Sequence, residues 1–225
     1  MLSRDDVFEE LGIGPVWRLR ETKPDAPLSA PGSAPAAAYT WETLEQAVAG
    51  CTACKLSATR TRGVPGVGDR NADWLIVGEA PGAEEDAQGE PFVGQAGKLL
   101  DAMLASIGLA RGDKVYITNV VKSRPPGNRD PEPDEIAACM PYLLAQVELI
   151  RPKLIVALGR VAAQTLLGSG EPLGRLRGQV HRFHDVPLVV TYHPAYLLRN
   201  LTDKARAWED LCFARRTLQS LTPDP

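Results

Sequence analysis

Leu154-Ile-Val-Ala-Leu-Gly-Arg160 is the stretch that settles the architecture. Five apolar residues run together without a polar residue at alternate positions. That pattern predicts a strand buried on both faces, the mark of a parallel sheet covered by helices on each side. A helical pattern follows at once, from Arg160 to Leu167. The same unit recurs to either side. Trp74-Leu-Ile-Val-Gly78 precedes a helical pattern from Gly94 to Ile107, and Val115-Tyr-Ile-Thr-Asn119 precedes one from Asp134 to Ile150. Leu188-Val-Val-Thr-Tyr192 precedes a last one from Asp203 to Leu218. Alternating strands and helices predict an α/β fold, a three-layer α/β/α sandwich with a central four-stranded parallel sheet. This domain is expected over residues 41–220.

The chain before it reads differently. Lys23-Pro-Asp-Ala-Pro-Leu-Ser-Ala-Pro-Gly-Ser-Ala-Pro35 cannot pack a core, so residues 22–40 read as a linker. Residues 1–21 form an amphipathic segment. Trp17 with Arg18 and Arg20 after it has the character of a docking motif for a protein partner; the plain alternative is that the segment packs on the domain.

The 225 residues carry a net charge of −3, unevenly spread, and residues 151–225 hold 11 Lys and Arg against 6 Asp and Glu. Such a local basic face can grip phosphates although the whole is acidic. No apolar run approaches the roughly 20 residues of a membrane span. The acidic start has no apolar core of a secretory signal, so the expected location is cytoplasmic. The four cysteines then do not suggest a disulfide framework. Cys51-Thr-Ala-Cys54 is open to reading as a metal or iron–sulfur knuckle, a redox pair or a chance spacing. A redox pair of the thioredoxin type sits between a strand and a helix. This one follows the amphipathic stretch Trp41–Val48, which favours ligation, with Cys139 as a third ligand. Cys212, inside the last helical pattern, reads as a small buried hydrophobe.

A parallel sheet brings its strand ends to one edge, where ligands bind. The first strand runs into Gly78-Glu-Ala-Pro-Gly82 and on to Phe92. This is not a phosphate loop, because it lacks GK[ST] and is acidic. The second strand delivers Asn119, the third Gly159 and Arg160, and the fourth His193. A carboxamide matches the edge of a nucleobase, an aromatic ring offers a stacking face, and an imidazole can donate to an oxygen that gains charge. Each has a plainer reading: Asn119 as a loop cap, Phe92 as core, His193 as a structural histidine. Together they favour a site.

These motifs, GEAPG, EPFVGQAG, YITNVVK with RPPGNRDP, and HPAYLLRN, resemble in order those of the family-four iron–sulfur uracil-DNA glycosylases, from about Cys51 to about Arg216. The resemblance implies a DNA repair enzyme that flips uracil out of single- or double-stranded DNA and hydrolyses its N-glycosidic bond, acting as a monomer. It implies that Phe92 stacks on the uracil, that Asn119 pairs with its O4 and N3, and that His193 donates to O2. Gly78 to Gly82 would shape one wall, with Glu79 beside the base, and Glu85 would crowd the C5 position. Leu197 would be the wedge that fills the gap in the stack, while Arg124, Arg129 and Arg199 would touch the DNA backbone. Relatives with a water-positioning aspartate in the first motif have it where this chain has Ala80. A non-catalytic or covalent uracil-DNA binder on the same fold is the alternative. The covalent kind carries a histidine in an extra loop after the second strand, and Ser123 to Pro131 contains none.

The family holds a [4Fe–4S] cluster with four cysteines. Cys51, Cys54 and Cys139 match three of them, and the fourth place is Ser123. A hydroxyl is a harder ligand than a thiolate and gives up its proton less readily. Four outcomes follow: Ser123 ligates, one iron is lost or takes another ligand, Cys212 substitutes, or the cluster is absent. A cluster that is present but more labile is the expectation.

Overall fold

The structure, a computed structural model, describes residues 39–221. The expected docking segment 1–21 and the linker up to residue 38 lie outside the described residues. The domain opens at Thr40, which caps helix α1 (Trp41–Gly50) in a reciprocal pair with Thr43.

The strands in chain order are β1 (Val67–Gly68), β2 (Trp74–Gly78), β3 (Val115–Asn119), β4 (Leu154–Leu158), β5 (His181–Phe183) and β6 (Val186–Thr191). They form one sheet in the order β1-β3-β2-β4-β6-β5. The four expected strands are its parallel centre, and β1 and β5 add antiparallel edges. Strands of two and three residues carry no readable alternation, so the sequence hid them. The last parallel strand begins earlier than expected because β5 folds back on it, pairing Phe183 with Val186. It ends at Thr191, opposite Leu158, where β4 runs out into the next helix.

The helices after α1 are α2 (Ala83–Gln88), α3 (Gln95–Ser106), α4 (Pro133–Ile150), α5 (Gly159–Leu167), α6 (Leu173–Leu176), α7 (Pro194–Leu197) and α8 (Lys204–Leu221). Side chains of the central strands alternate between two cores. Leu75, Val77, Ile155, Ala157, Leu188 and Val190 meet α4 and α5 on one face. Trp74, Ile76, Leu154, Val156 and Val189 meet α3 and α8 on the other. Burial on both faces explains why these strands are apolar throughout.

The chain leaves β2 for β3 on one side, then crosses back to place β4 on the other side of β2. That reversal opens a crevice at the carboxyl ends of β2 and β4, the usual place for a ligand in an open α/β sheet.

Candidate active site

A cleft of about 700 Å³ lies at this edge, lined by residues that follow all four parallel strands. Asn119 ends β3 directly opposite Gly78, the last residue of β2. Its side chain is 2% exposed, and Oδ1 has no hydrogen-bond partner. A buried carbonyl oxygen left unpaired is costly, so a donor from a ligand is the expected complement. Gly78 makes the space for it. A Cβ there would stand 2.3 Å from Asn119 Oδ1 and 2.6 Å from Phe92 Cζ.

Phe92 is 6% exposed and has a left-handed backbone, with φ of 56°. That conformation is strained for an aromatic residue. Two features hold it. Gly97 lets the first turn of α3 pass so close that a Cβ would lie 1.7 Å from the Phe92 carbonyl oxygen. Arg111 donates to the carbonyls of Pro91 (2.9 Å) and Phe92 (2.8 Å), and Asp101 holds its guanidinium from outside (3.0 Å). Glu85 braces the same loop. Its carboxylate accepts from the N–H groups of Gly82, Val93 and Gly94 at 3.0–3.1 Å. Glu85 therefore lines the cleft as a clamp as well as a wall.

The Phe92 and His193 rings lie 5.5 Å apart. His193 caps α7, and its Nδ1 accepts the Ala195 N–H at 3.1 Å. With Nδ1 an acceptor, the neutral ring carries its proton on Nε2. Loss of solvent pushes its pKa down to about 4, and the nearby charge of Arg199 adds to this. Gly159, at φ of 87°, supplies room, since a Cβ there would meet His193 Cβ at 2.8 Å. Below the histidine, Thr191 donates to Asp210 (2.8 Å), which takes a bidentate Arg177 at 2.7 and 2.9 Å. Arg177 also lies over the Tyr192 ring, 4.5 Å from its centre. The end of β6 is thereby tied to α8.

Glu79 and Asp130 share a wall of the cleft. Burial, and then the charge and hydrogen bond of Asp130, raise the Glu79 carboxyl to about 7, while Arg160 opposes. Arg160 pairs with Asp130 at 2.6 Å. Beneath Asn119 lies Lys122, 1% exposed, with Nζ donating to Thr118 Oγ1 (2.7 Å), the Asn119 carbonyl (2.6 Å) and Gln146 Oε1 (2.7 Å). The sequence reading missed Lys122, Arg111 and Asp130. A lysine in a strand-end motif carries no mark of burial until the tertiary fold closes over it.

One expected DNA contact needs correction. Leu197 is 1% exposed and belongs to the core between α3 and α8, so it cannot enter a base stack as it stands. Its neighbour Leu198 is 43% exposed at the end of α7. Arg129 gives two donors to the fully buried carboxylate of Glu135, at 2.6 and 2.8 Å, which braces its turn, and it stays partly exposed on the wall of the cleft. Arg124 bonds Asn128 within the same turn (2.7 Å), and Arg199 is exposed at the mouth of the cleft.

The sulfur residues separate into two places. Cys139, 2% exposed in α4, feels the thiols of Cys51 and Cys54 beside it, and burial raises its own thiol. The Lys122 and Ala53 N–H groups point at the sulfurs of Cys139 (3.4 Å) and Cys51 (3.5 Å). Among the described residues no three of His, Cys, Asp and Glu could hold a metal ion together as they stand. A polynuclear cluster sets its thiolates farther apart than one ion does, and amide donors to sulfur suit it. Three cysteines in one pocket fit such a group. Cys212 does not join them, because α8 covers the opposite face of the sheet from α4. Ser123 Oγ accepts from Arg60 at 2.7 Å.

Comparison with known proteins agrees with this geometry. The model of the uracil DNA glycosylase superfamily matches residues 65–212. A type-4 uracil-DNA glycosylase of Archaeoglobus fulgidus is 51% identical over 156 residues, 66% of this chain and 78% of that one. Those of Thermotoga maritima and Pyrobaculum aerophilum are 46% and 42% identical, covering 73% and 76% of this chain and 86% and 90% of theirs. On the strength of a cleft built from four strand ends and of these relatives, the chain belongs to the type-4 family of the uracil DNA glycosylase superfamily.

Proposed function

We propose that this protein removes uracil from DNA by hydrolysing the bond between C1′ and N1. The unpaired, buried Oδ1 of Asn119 carries the reading. Uracil has a donor at N3 and an acceptor at O4, which match Oδ1 and Nδ2 of one carboxamide. Cytosine has an acceptor and a donor at those places and would be repelled. Phe92 supplies the stacking face.

The base must leave the duplex first, at a cost of a few kcal/mol. Exposed Leu198 is placed to fill the gap, with Arg199 on a flanking phosphate. As the C1′–N1 bond stretches, negative charge grows on uracil O2. The neutral His193 offers its Nε2–H to that oxygen, and a donor of this kind is typically worth roughly 10²–10³ in rate. Water then adds at C1′. Ala80 brings no group that could orient it, and Glu79 and Asp130 are the ionisable side chains on that wall. The turn Ser123 to Pro131 holds no histidine to capture the sugar covalently. Cys51, Cys54 and Cys139 would hold an iron–sulfur cluster whose contribution is to tie the CxxC loop after α1 to α4. No helix of the described residues is long and apolar enough to cross a membrane. Action as a monomer, and recruitment of a protein partner by residues 1–21, belong to the same proposal.

The test is free uracil released from a uracil-containing oligonucleotide by the full chain. Asn119→Ala should abolish release, and His193→Ala should slow it roughly 10²–10³-fold with little change in KM. Undiminished release by both variants would refute the assignment.

A further inference from the structure

The segment that follows β3 is pinned in a way the cysteines alone do not explain. Ser123 is 3% exposed, and its hydroxyl is the acceptor for Arg60 Nη1 at 2.7 Å. The other terminal nitrogen of Arg60 donates to the carbonyls of Ala49 (2.9 Å) and Cys51 (2.8 Å). One guanidinium thus spans from the last turn of α1, through the first cysteine of the CxxC, to the residue standing where a fourth ligand is expected. Next to it the Lys122 N–H donates to Cys139 Sγ, so the same segment touches the third cysteine as well.

An iron–thiolate bond at position 123 would do two things: fix the segment to the CxxC loop, and close the fourth corner of the cluster. Arg60 does the first without metal. It does not do the second, because a guanidinium has no lone pair to give. Its charge also sits well beside a cluster that carries three thiolates. For Ser123 to ligate, it would have to surrender its proton, which an aliphatic hydroxyl does far less readily than a thiol.

We propose that Arg60 has taken over the mechanical role of the fourth ligand, so that this chain has a three-cysteine cluster site with one iron lacking a protein ligand, and a turn at Ser123–Arg129 that keeps its place without iron. This rests on the family reading for the nature of the cluster; the bond from Arg60 to Ser123 does not.

The experiment is amide hydrogen exchange, read by mass spectrometry on the full chain purified without oxygen, and again after a chelator has stripped the iron. Wild type, Arg60→Gln and Ser123→Ala are compared, and Arg60→Lys stands in should the glutamine variant fail to fold. In iron-free wild type, residues 120–130 should keep their protection to within about threefold of the loaded protein. In the iron-free variants they should exchange at least roughly tenfold faster. Equal exchange in iron-free wild type and both variants would overturn the tie. On the loaded protein, added 2-mercaptoethanol should alter the visible spectrum of wild type but not of Ser123→Cys, in which the corner is closed. A spectrum indifferent to the thiol, or iron lost on Ser123→Ala but kept in Arg60→Gln, would make Ser123 a ligand and overturn the open corner. Absence of iron from wild type and Ser123→Cys alike would do the same. Uracil release measured on the same samples reports on the functional reading separately.

Discussion

At Gly78 a single methyl group decides whether a base can enter. A Cβ would press to 2.3 Å on Asn119 Oδ1 and 2.6 Å on Phe92, and both are held from behind. Gly78→Ala should therefore lower stability by about 1–3 kcal/mol, seen as a lower melting temperature, and raise KM for a uracil substrate by roughly tenfold or more, a change steady-state kinetics would register. His193 makes a different prediction. Its folded pKa is near 4, against 6.5 for a free imidazole. The unfolded chain thus takes up a proton first. Stability contributed by the neutral ring is complete above about pH 6.5 and is lost as pH falls toward 4, by on the order of 3 kcal/mol. In denaturant melts the wild type should lose stability between about pH 6.5 and 4 that His193→Gln does not lose. Asn119 and His193 were legible as residue types because they stand at or just beyond strand ends. Their states were not. Neither the unpaired oxygen of Asn119 nor the tautomer of His193 exists until the neighbouring strand and the α7 cap are in place.

At the scale of elements, α7 shows how four residues can mislead. Reading along Pro194-Ala-Tyr-Leu-Leu-Arg199, either leucine serves as a wedge, because a single turn is too short for a helical face to be read from spacing. Packing decides it: Leu197 enters the core with α3 and α8, and Leu198 meets solvent. Leu197→Ala should cost about 2–4 kcal/mol and lower the melting temperature. Leu198→Ala should leave the melt unchanged and slow excision from duplex more than from single-stranded DNA, where no stack needs filling. The reverse pattern would restore Leu197 to the role first expected of it. The long strands and helices were legible to within a residue or two because their burial pattern repeats. The edges β1 and β5 were not, since their pairing is decided by the loops that fold them back.

Across the whole molecule, the sheet separates two cores with different duties. The face under α4 and α5 carries Cys139 with Cys51 and Cys54 beside it, Lys122 and the Gln146–Thr118 network. The face under α3 and α8 carries Phe92, Leu197 and the footing of β6. Asn119 and His193 sit on the rim where the two meet. Iron removal should accordingly loosen α1 and α4 while the Arg60-held segment 120–130, α3 and α8 keep their protection, a contrast that exchange mapping of the loaded and stripped protein would show. The sequence conveyed this layering through its unbroken apolar strands. It did not convey the direction from which each side chain is held, because the braces come from residues far away in the chain.

The Arg111 clasp shows what that means in practice. Phe92 sits in a backbone state it would not choose, and part of what keeps it there is an arginine fastened by a half-exposed aspartate outside the cleft. The aromatic plate is sprung, and its catch is reachable from the back of the molecule. Arg111→Met should leave a folded protein whose KM rises while the chemistry at His193 persists, as kinetics of uracil release would show. A small molecule that prised Arg111 from Asp101 would weaken the site without resembling uracil, and by the same coupling damaged DNA would weaken its hold in turn.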